Sequence, residues 1–182
     1  MFPMNASLAN EFSSFFTKSE YPKRALIVQP GMLNQKLFFL ETGLLREYYV
    51  FDGEDESTNE REVTAGFSHE GQFTFTTIPF LSGEPSRRYI QTIEPTIVYT
   101  ISYQGIKSFV AKHHSVSLWL NVLYEQRLIR SETRMRIGQA RTAEDAYKLF
   151  RKHFGLIAGR IPDKFVASYL NISTGTLSRF RS

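Results

Sequence analysis

Residues 161–182, IPDKFVASYLNISTGTLSRFRS, bring hydroxyls and guanidinium groups onto one face at helical spacing: Thr174, Thr176, Ser178, Arg179 and Arg181. Hydroxyls and the free N–H groups of a helix amino terminus bind phosphate oxygens, and an arginine can donate two hydrogen bonds to O6 and N7 of a guanine. Ser173 and Thr176 therefore suit phosphate contacts, Arg179 suits a base edge, and Thr174 and Ser178 suit adjacent readout. The opposite side holds Leu177 and Phe180, so the segment predicts an amphipathic helix that could lie in a major groove. The competing account of the same residues is a plain helical hairpin with a solvated basic face.

Such a helix needs a partner and a tight turn. Pro162 suits the first position of a preceding helix that runs to Leu170, with Phe165, Val166, Tyr169 and Leu170 as its buried face and Ala167 small enough for a close crossing. Asn171 tolerates left-handed backbone, Ile172 fills the corner and Ser173 can cap the next helix. Upstream, Thr142-Ala-Glu-Asp145 is a loose capping box before Ala146, Leu149 and Phe150, which makes residues 138–141 a hinge. The glycine-bearing stretch FGLIAGR, residues 154–160, predicts a loop.

From Gln104 to Gln139 there is no proline, and apolar residues recur with helical spacing. A short helix through Val110, a turn at His113-His114 and a long helix from Ser115 follow. Twenty or more residues span about 30 Å, more than one small domain covers, so pairing with a second copy through Leu120, Leu123 and their neighbours is the expectation. Residues 7–17, SLANEFSSFFT, predict a short helix capped by Ser7. Between Tyr21 and Ser102 the runs RALIVQP, KLFFLETG, LLREYYVFDG, REVTAGFS, QFTFTTIPF, RYIQTIE and TIVYTIS predict strands of an antiparallel sandwich or roll, with turns at Pro30-Gly31 and Asp52-Gly53.

Charge is shared unevenly. Residues 1–104 carry 8 basic and 13 acidic side chains, a net of −5, whereas residues 105–182 carry 14 basic and 5 acidic ones, a net of +9. The second half is the part a polyanion would attract, solvated helix faces being the other reading. A composition of 42% apolar and 22% charged residues predicts ordered cores. The absence of cysteine excludes disulfides, thiolate zinc sites, cysteine-held iron–sulfur clusters and cysteine nucleophiles. The acidic run Glu54 to Glu56 lacks the glycine and ligand offsets of a metal loop, and His69, His113, His114 and His153 have no ligand spacing, so no metal site is predicted. No Ser-His-acid spacing or phosphate loop suggests an enzyme. With no apolar run of bilayer length and no leader in MFPMNASLANEF, the cytoplasm is the expected location.

The stretch LNISTGTLSRFR resembles the helix-turn-helix of the Crp/Fnr regulators, whose recognition helix begins with Ser or Thr and carries an Arg at the place of Arg179. TGLLREYY, FLSGEPSRRYIQTIEPTIVYTIS and TAEDAYKLF resemble a shortened Bacteroidetes-type branch, and the resemblance spans about residues 10–181. It implies an α+β chain with three parts. These are an antiparallel β-roll of the cyclic-nucleotide-binding, jelly-roll type over 1–112, a dimerisation helix and connector over 113–138, and a winged-helix-like helix-turn-helix domain over 139–182. It further implies a homodimer on double-stranded DNA that regulates transcription, with RNA polymerase as a further partner and no catalytic residues. The alternative is a sensor of the same fold that has lost DNA binding and serves as an interaction module.

Two departures bear on specificity. Gly175 stands where the family usually has a Glu, which removes a cytosine-reading carboxylate, and only Leu156 to Ile161 remain for a wing. In cyclic-AMP-binding members of the family a Gly-Glu-Leu run and an Arg-Ser-Ala run hold the phosphate. Gly71, Gln72, Ser86, Arg87 and Arg88 are the corresponding candidates here, as a degenerate phosphate cassette. Anchoring on Ile101-Ser102 puts Ser86 at the arginine position and Arg87 at the serine position, while anchoring on Arg88 puts Tyr89 where a small hydroxyl belongs. Without a charge-assisted partner a buried phosphate is costly, so cyclic AMP is not expected, no cofactor is predicted, and a different acidic effector or none is left open.

Overall fold

The computed structural model describes residues 6–51, 61–113 and 115–181, with the backbone alone for Ala6, Ser115 and Arg181. The Asp52-Gly53 turn, the Glu54 to Glu56 run and His114 lie outside the described residues. In chain order the elements are α1 (Ala6–Ser13), β1 (Thr17–Tyr21), β2 (Leu26–Val28), β3 (Lys36–Thr42), β4 (Leu44–Phe51), β5 (Arg61–His69), β6 (Phe73–Thr74), α2 (Thr77–Ser82), β7 (Tyr89–Thr92), β8 (Thr96–Ser102), α3 (Tyr103–Lys112), α4 (Ser115–Gly138), α5 (Ala143–Phe154), α6 (Asp163–Leu170) and α7 (Thr174–Arg181).

The strands form two sheets, ordered β1-β8-β3-β6 and β2-β7-β4-β5. Pairing is antiparallel, with Thr17 opposite Thr100 in β1 and β8, and Leu37 opposite Ile101 in β3 and β8. The antiparallel, helix-bearing α+β architecture read from the sequence is the one observed. The chain divides into two compact units, one of residues 1–45 with 68–128 and one of residues 46–67 with 129–182.

In the first unit, Val28, Leu45 and Ile90 from one sheet meet Phe38, Leu40 and Val98 from the other in a sealed apolar layer. Along β8, Thr96 and Val98 are buried and Ile97 and Tyr99 half-buried, whereas Ile101, on the opposite face to Val98, enters the second cluster. A second cluster gathers Phe12, Leu37, Phe75, Phe80, Ile101, Ile106, Phe109, Val116 and Leu123, with Phe12 stacked on Phe109 at 4.8 Å and edge-on to Trp119 at 5.0 Å. His113 beside Glu11 at 3.1 Å ties α1 to the end of α3.

The tertiary structure corrects several local expectations. The second half of QFTFTTIPF is not strand: β6 ends at Thr74 and α2 begins at Thr77. Pro79 sits in the first turn of α2, where its missing N–H costs no helical bond, and Gly83 closes the helix in the left-handed region at φ 75° with its N–H on Pro79 O. Ser7 lies inside α1 instead of capping it, and Thr17 opens β1. Pro162 is the residue before α6, not its first: at ψ 139° its backbone is still extended while its carbonyl accepts from Val166 N–H at 3.2 Å. Leu123 is buried in the α1 and α3 cluster and so is not available to a second copy, while Leu120 is half-buried against it. The exposed apolar residues of α4 are instead Leu118, Leu128, Ile129 and Met135, and helical periodicity sets them on the side opposite Val116 and Leu123.

Candidate functional site

The second unit is built on an aromatic cluster. Phe67, Phe150, Phe154 and Tyr169 have ring centroids 5.1 to 6.4 Å apart. The Tyr169 phenol is pushed up to about 12 by burial, against the opposing pull of Arg134, whose guanidinium lies 4.4 Å from its ring centroid. Tyr169 therefore serves here as neutral packing. α5 begins as its sequence suggests: Thr142 Oγ1 accepts from Asp145 N–H at 3.1 Å and donates to Asp145 Oδ2 at 2.8 Å, a cap worth about 1 kcal/mol. Between α5 and α6, residues 155–160 form successive turns held by Ala158 N–H on Phe154 O at 2.8 Å and Arg160 N–H on Ile157 O at 2.9 Å. No strand forms there among the described residues.

α6 and α7 meet through a turn at Asn171, which adopts φ 56°, ψ 43° and donates its N–H to the α6 carbonyls. That left-handed residue is the reversal the sequence expectation placed there, and Ile172 N–H returns to Ala167 O at 3.0 Å. Ser173 Oγ accepts from Thr176 N–H at 3.0 Å, which makes it the cap of α7. Leu177 is fully buried and Phe180 stacks on Tyr147 at 6.1 Å, so the apolar side of α7 packs inward. Thr174, Gly175, Ser178 and Arg179 are exposed and Thr176 is half-buried. Arg179 Nη2 donates to Thr176 Oγ1 at 3.2 Å, and Thr176 Oγ1 lies 3.0 Å from Ser173 Oγ, so the three predicted contact residues form one linked row. The Arg181 side chain lies outside the described residues. At Gly175 an added Cβ would meet nothing nearer than Ser173 Oγ at 3.8 Å, so neither space nor backbone angle demands the glycine.

The degenerate cassette is assembled differently from a phosphate cradle. Gly71 turns at φ 76° and donates its N–H to Leu40 O at 2.9 Å. The Gln72 side chain folds onto its own turn, Oε1 accepting from His69 N–H at 3.2 Å and Nε2 lying 2.9 Å from His69 Nε2. Ser86 is buried, its hydroxyl donating to Arg88 O at 2.9 Å and accepting from Arg88 N–H at 3.1 Å. Its backbone staples the loop to residues 31 and 32 through Gly31 N–H and Met32 O, both at 2.9 Å. Arg87 is exposed and Arg88 half-buried. The set offers a cyclic phosphate a hydroxyl already used in both directions and no fully buried guanidinium, so these residues do not fit that group.

Among the described residues there is no metal-ligand cluster, and no helix is long and apolar enough to cross a membrane. Sequence reading does not single out Arg46, Phe165 and Ser168 as one assembly. Its only trace is a charge within the apolar run LLREYY, and Arg46 proves almost wholly buried.

Solved structures with the same fold include FixK2 of Bradyrhizobium japonicum, 19% identical over 91% of this chain and 82% of that one with a TM-score of 0.75. A CooA mutant of Carboxydothermus hydrogenoformans is 17% identical over 94% and 77% of the two chains at a TM-score of 0.71. CLP of Xanthomonas campestris, a regulator responsive to c-di-GMP, is 16% identical over 97% and 89% at 0.71. These are Crp/Fnr regulators, so the fold matches that resemblance in the β-roll and in the carboxy-terminal helices. None of the curated protein sequences compared with the chain matches it. The model of the cyclic nucleotide-binding domain matches residues 18–113, and by that match over half its length the chain belongs to the cyclic nucleotide-binding domain family.

Proposed function

We propose that this protein is a cytoplasmic DNA-binding transcription regulator of the Crp/Fnr type that acts as a homodimer, with a sensor domain that does not use cyclic AMP. The observation that carries the reading is the α6–Asn171–α7 geometry. It buries Leu177, half-buries Phe180 against Tyr147 and leaves Thr174, Ser178 and Arg179 exposed beside a capped helix amino terminus. Ser173 and Thr176 would hold phosphates, Arg179 a guanine edge, Thr174 and Ser178 adjacent groups, and Arg181 a further phosphate. Functional parts are assigned as 1–112 for the β-roll sensor, 113–138 for the dimer helix and 139–182 for the reader. The role is regulatory, not enzymatic, with RNA polymerase as a further partner. A non-cyclic-nucleotide effector, where one exists, would act at a site other than Ser86, whose hydroxyl is already engaged.

The test is fluorescence polarisation against random duplexes at about 50 and 200 mM salt, where each neutralised phosphate should contribute about −0.9 to the slope of log affinity against log salt. A slope of several units supports a reader. Flat or absent binding favours the sensor that has become an interaction module.

The dimer has its own check. Leu128 is 69% exposed and Ile129 62% exposed on α4, an arrangement that a second copy would cover. The double replacement Leu128→Glu and Ile129→Glu should convert a dimer to monomer in sedimentation while near-ultraviolet circular dichroism stays unchanged. A wild-type monomer at tens of micromolar, or a charged variant that remains dimeric, removes this face from the interface.

A further inference from the structure

Strand β5 lies at the edge of its sheet, so among the described residues its outward backbone groups have no strand to pair with. A single side chain takes that place. Ser168, on α6, accepts from Thr64 N–H at 2.9 Å and donates to Glu62 O at 2.8 Å. Those are the alternate N–H and C=O groups that an antiparallel neighbour would engage. The Thr64 hydroxyl lies 3.1 Å from the same Ser168 oxygen as donor and accepts from Arg46 Nε at 2.9 Å.

Arg46, on β4, is 1% exposed. Its Nη1 reaches Glu62 Oε2 at 2.6 Å, and its guanidinium lies between the ring of Tyr48, at 4.2 Å, and that of Phe165 on α6, at 4.0 Å. Arg61, at the start of β5, donates to Oδ1 of Asn171, the residue that turns α6 into α7. All of these residues belong to the unit of 46–67 and 129–182.

We propose that the β4–β5 hairpin is a working part of the reader, with Arg46 and Ser168 as positioning residues that hold α6 and the Asn171 turn in the one register from which α7 can read DNA. The inference rests on the DNA-reading function proposed above. An apolar contact between hairpin and helix would tolerate sliding. A directional chain from guanidinium to Thr64 hydroxyl to Ser168 hydroxyl to Glu62 carbonyl does not, because each hydroxyl spends both its donor and its acceptor.

Ser168→Ala and Ser168→Thr test the proposal, with four readouts. These are preference for a selected duplex over random DNA, its salt slope, residue-resolved hydrogen exchange, and emission of Trp119, which lies in the other unit. In Ser168→Ala the site preference should fall about 10-fold, as expected when an edge N–H and carbonyl lose their partner. Amides of Thr64, α6 and α7 should exchange faster, while the salt slope and Trp119 emission stay at wild-type values. Ser168→Thr, which keeps the hydroxyl, should recover most of the preference and the protection. Wild-type preference and protection in Ser168→Ala overturn the proposal, as does a Ser168→Thr variant as impaired as the alanine. If the wild type binds no duplex, the DNA reading fails, and the exchange comparison alone decides whether the junction holds α6 and α7.

Discussion

Arg179→Ala should erase site preference while leaving the folded protein intact. Arg179 is exposed and, among the described residues, is anchored to Thr176 Oγ1 at 3.2 Å, whereas the hold of α7 on its unit comes from buried Leu177 and the stacking of Phe180 on Tyr147. Truncation therefore removes a donor pair without opening a cavity. A bidentate arginine–guanine contact contributes about 1–3 kcal/mol of discrimination, so each half-site should lose about 5- to 150-fold in preference. Binding to random duplex should fall little, because the phosphate contacts proposed for Ser173 and Thr176 do not involve Arg179. Selection from random duplexes followed by competition measures both quantities, and a variant that keeps the wild-type consensus and its full preference refutes the assignment of Arg179 to a base edge.

A comparable effect, on stability instead of binding, is expected at Gly43, between β3 and β4. Its φ is 105°, and an added Cβ would lie 2.3 Å from Thr96 Oγ1 and 2.7 Å from Thr96 Cα, contacts that include backbone and cannot be relieved by a side-chain rotation alone. Backbone strain and overpacking each cost about 1–3 kcal/mol, so Gly43→Ala should destabilise its unit by about 2–6 kcal/mol. Gly31 is the control: it also has positive φ, 84°, but nothing lies within 4 Å of an added Cβ, so Gly31→Ala should carry the backbone cost alone. Urea denaturation followed through Trp119, which shares a unit with both glycines, separates the two. Equal losses in the two variants would show that contact with Thr96 contributes nothing.

Much of the architecture was legible because periodicity and local chemistry agree. The change from alternating runs to helical spacing beyond Ser102, the cap at Thr142, the left-handed turn at Asn171 and the cap at Ser173 all appear where short-range rules put them. Thr17 to Tyr21 was not legible as a strand, nor Thr77 to Ser82 as a helix. TKSEY alternates too weakly to announce a strand, and what makes it one is pairing with β8, about eighty residues away in sequence. TIPFLS is rich in β-forming residues, yet Pro79 and Gly83 bracket a single turn that lets Phe80 enter the core.

The exposed face of α7 followed the same division. Its hydroxyls and arginine could be named from spacing alone, since a helix of known sidedness carries them whatever surrounds it. The sequence by itself determined the order of parts, the amphipathic tail and the turn between its helices, because these depend on neighbours within a few residues. Only the tertiary structure decided that Leu120 and Leu123 face inward, that Ser86 spends its hydroxyl on Arg88, and that Arg46 and Ser168 join a hairpin to α6. Those outcomes rest on contacts between residues far apart in the chain, where burial and the pairing of every buried polar group leave few arrangements and local propensity has no say.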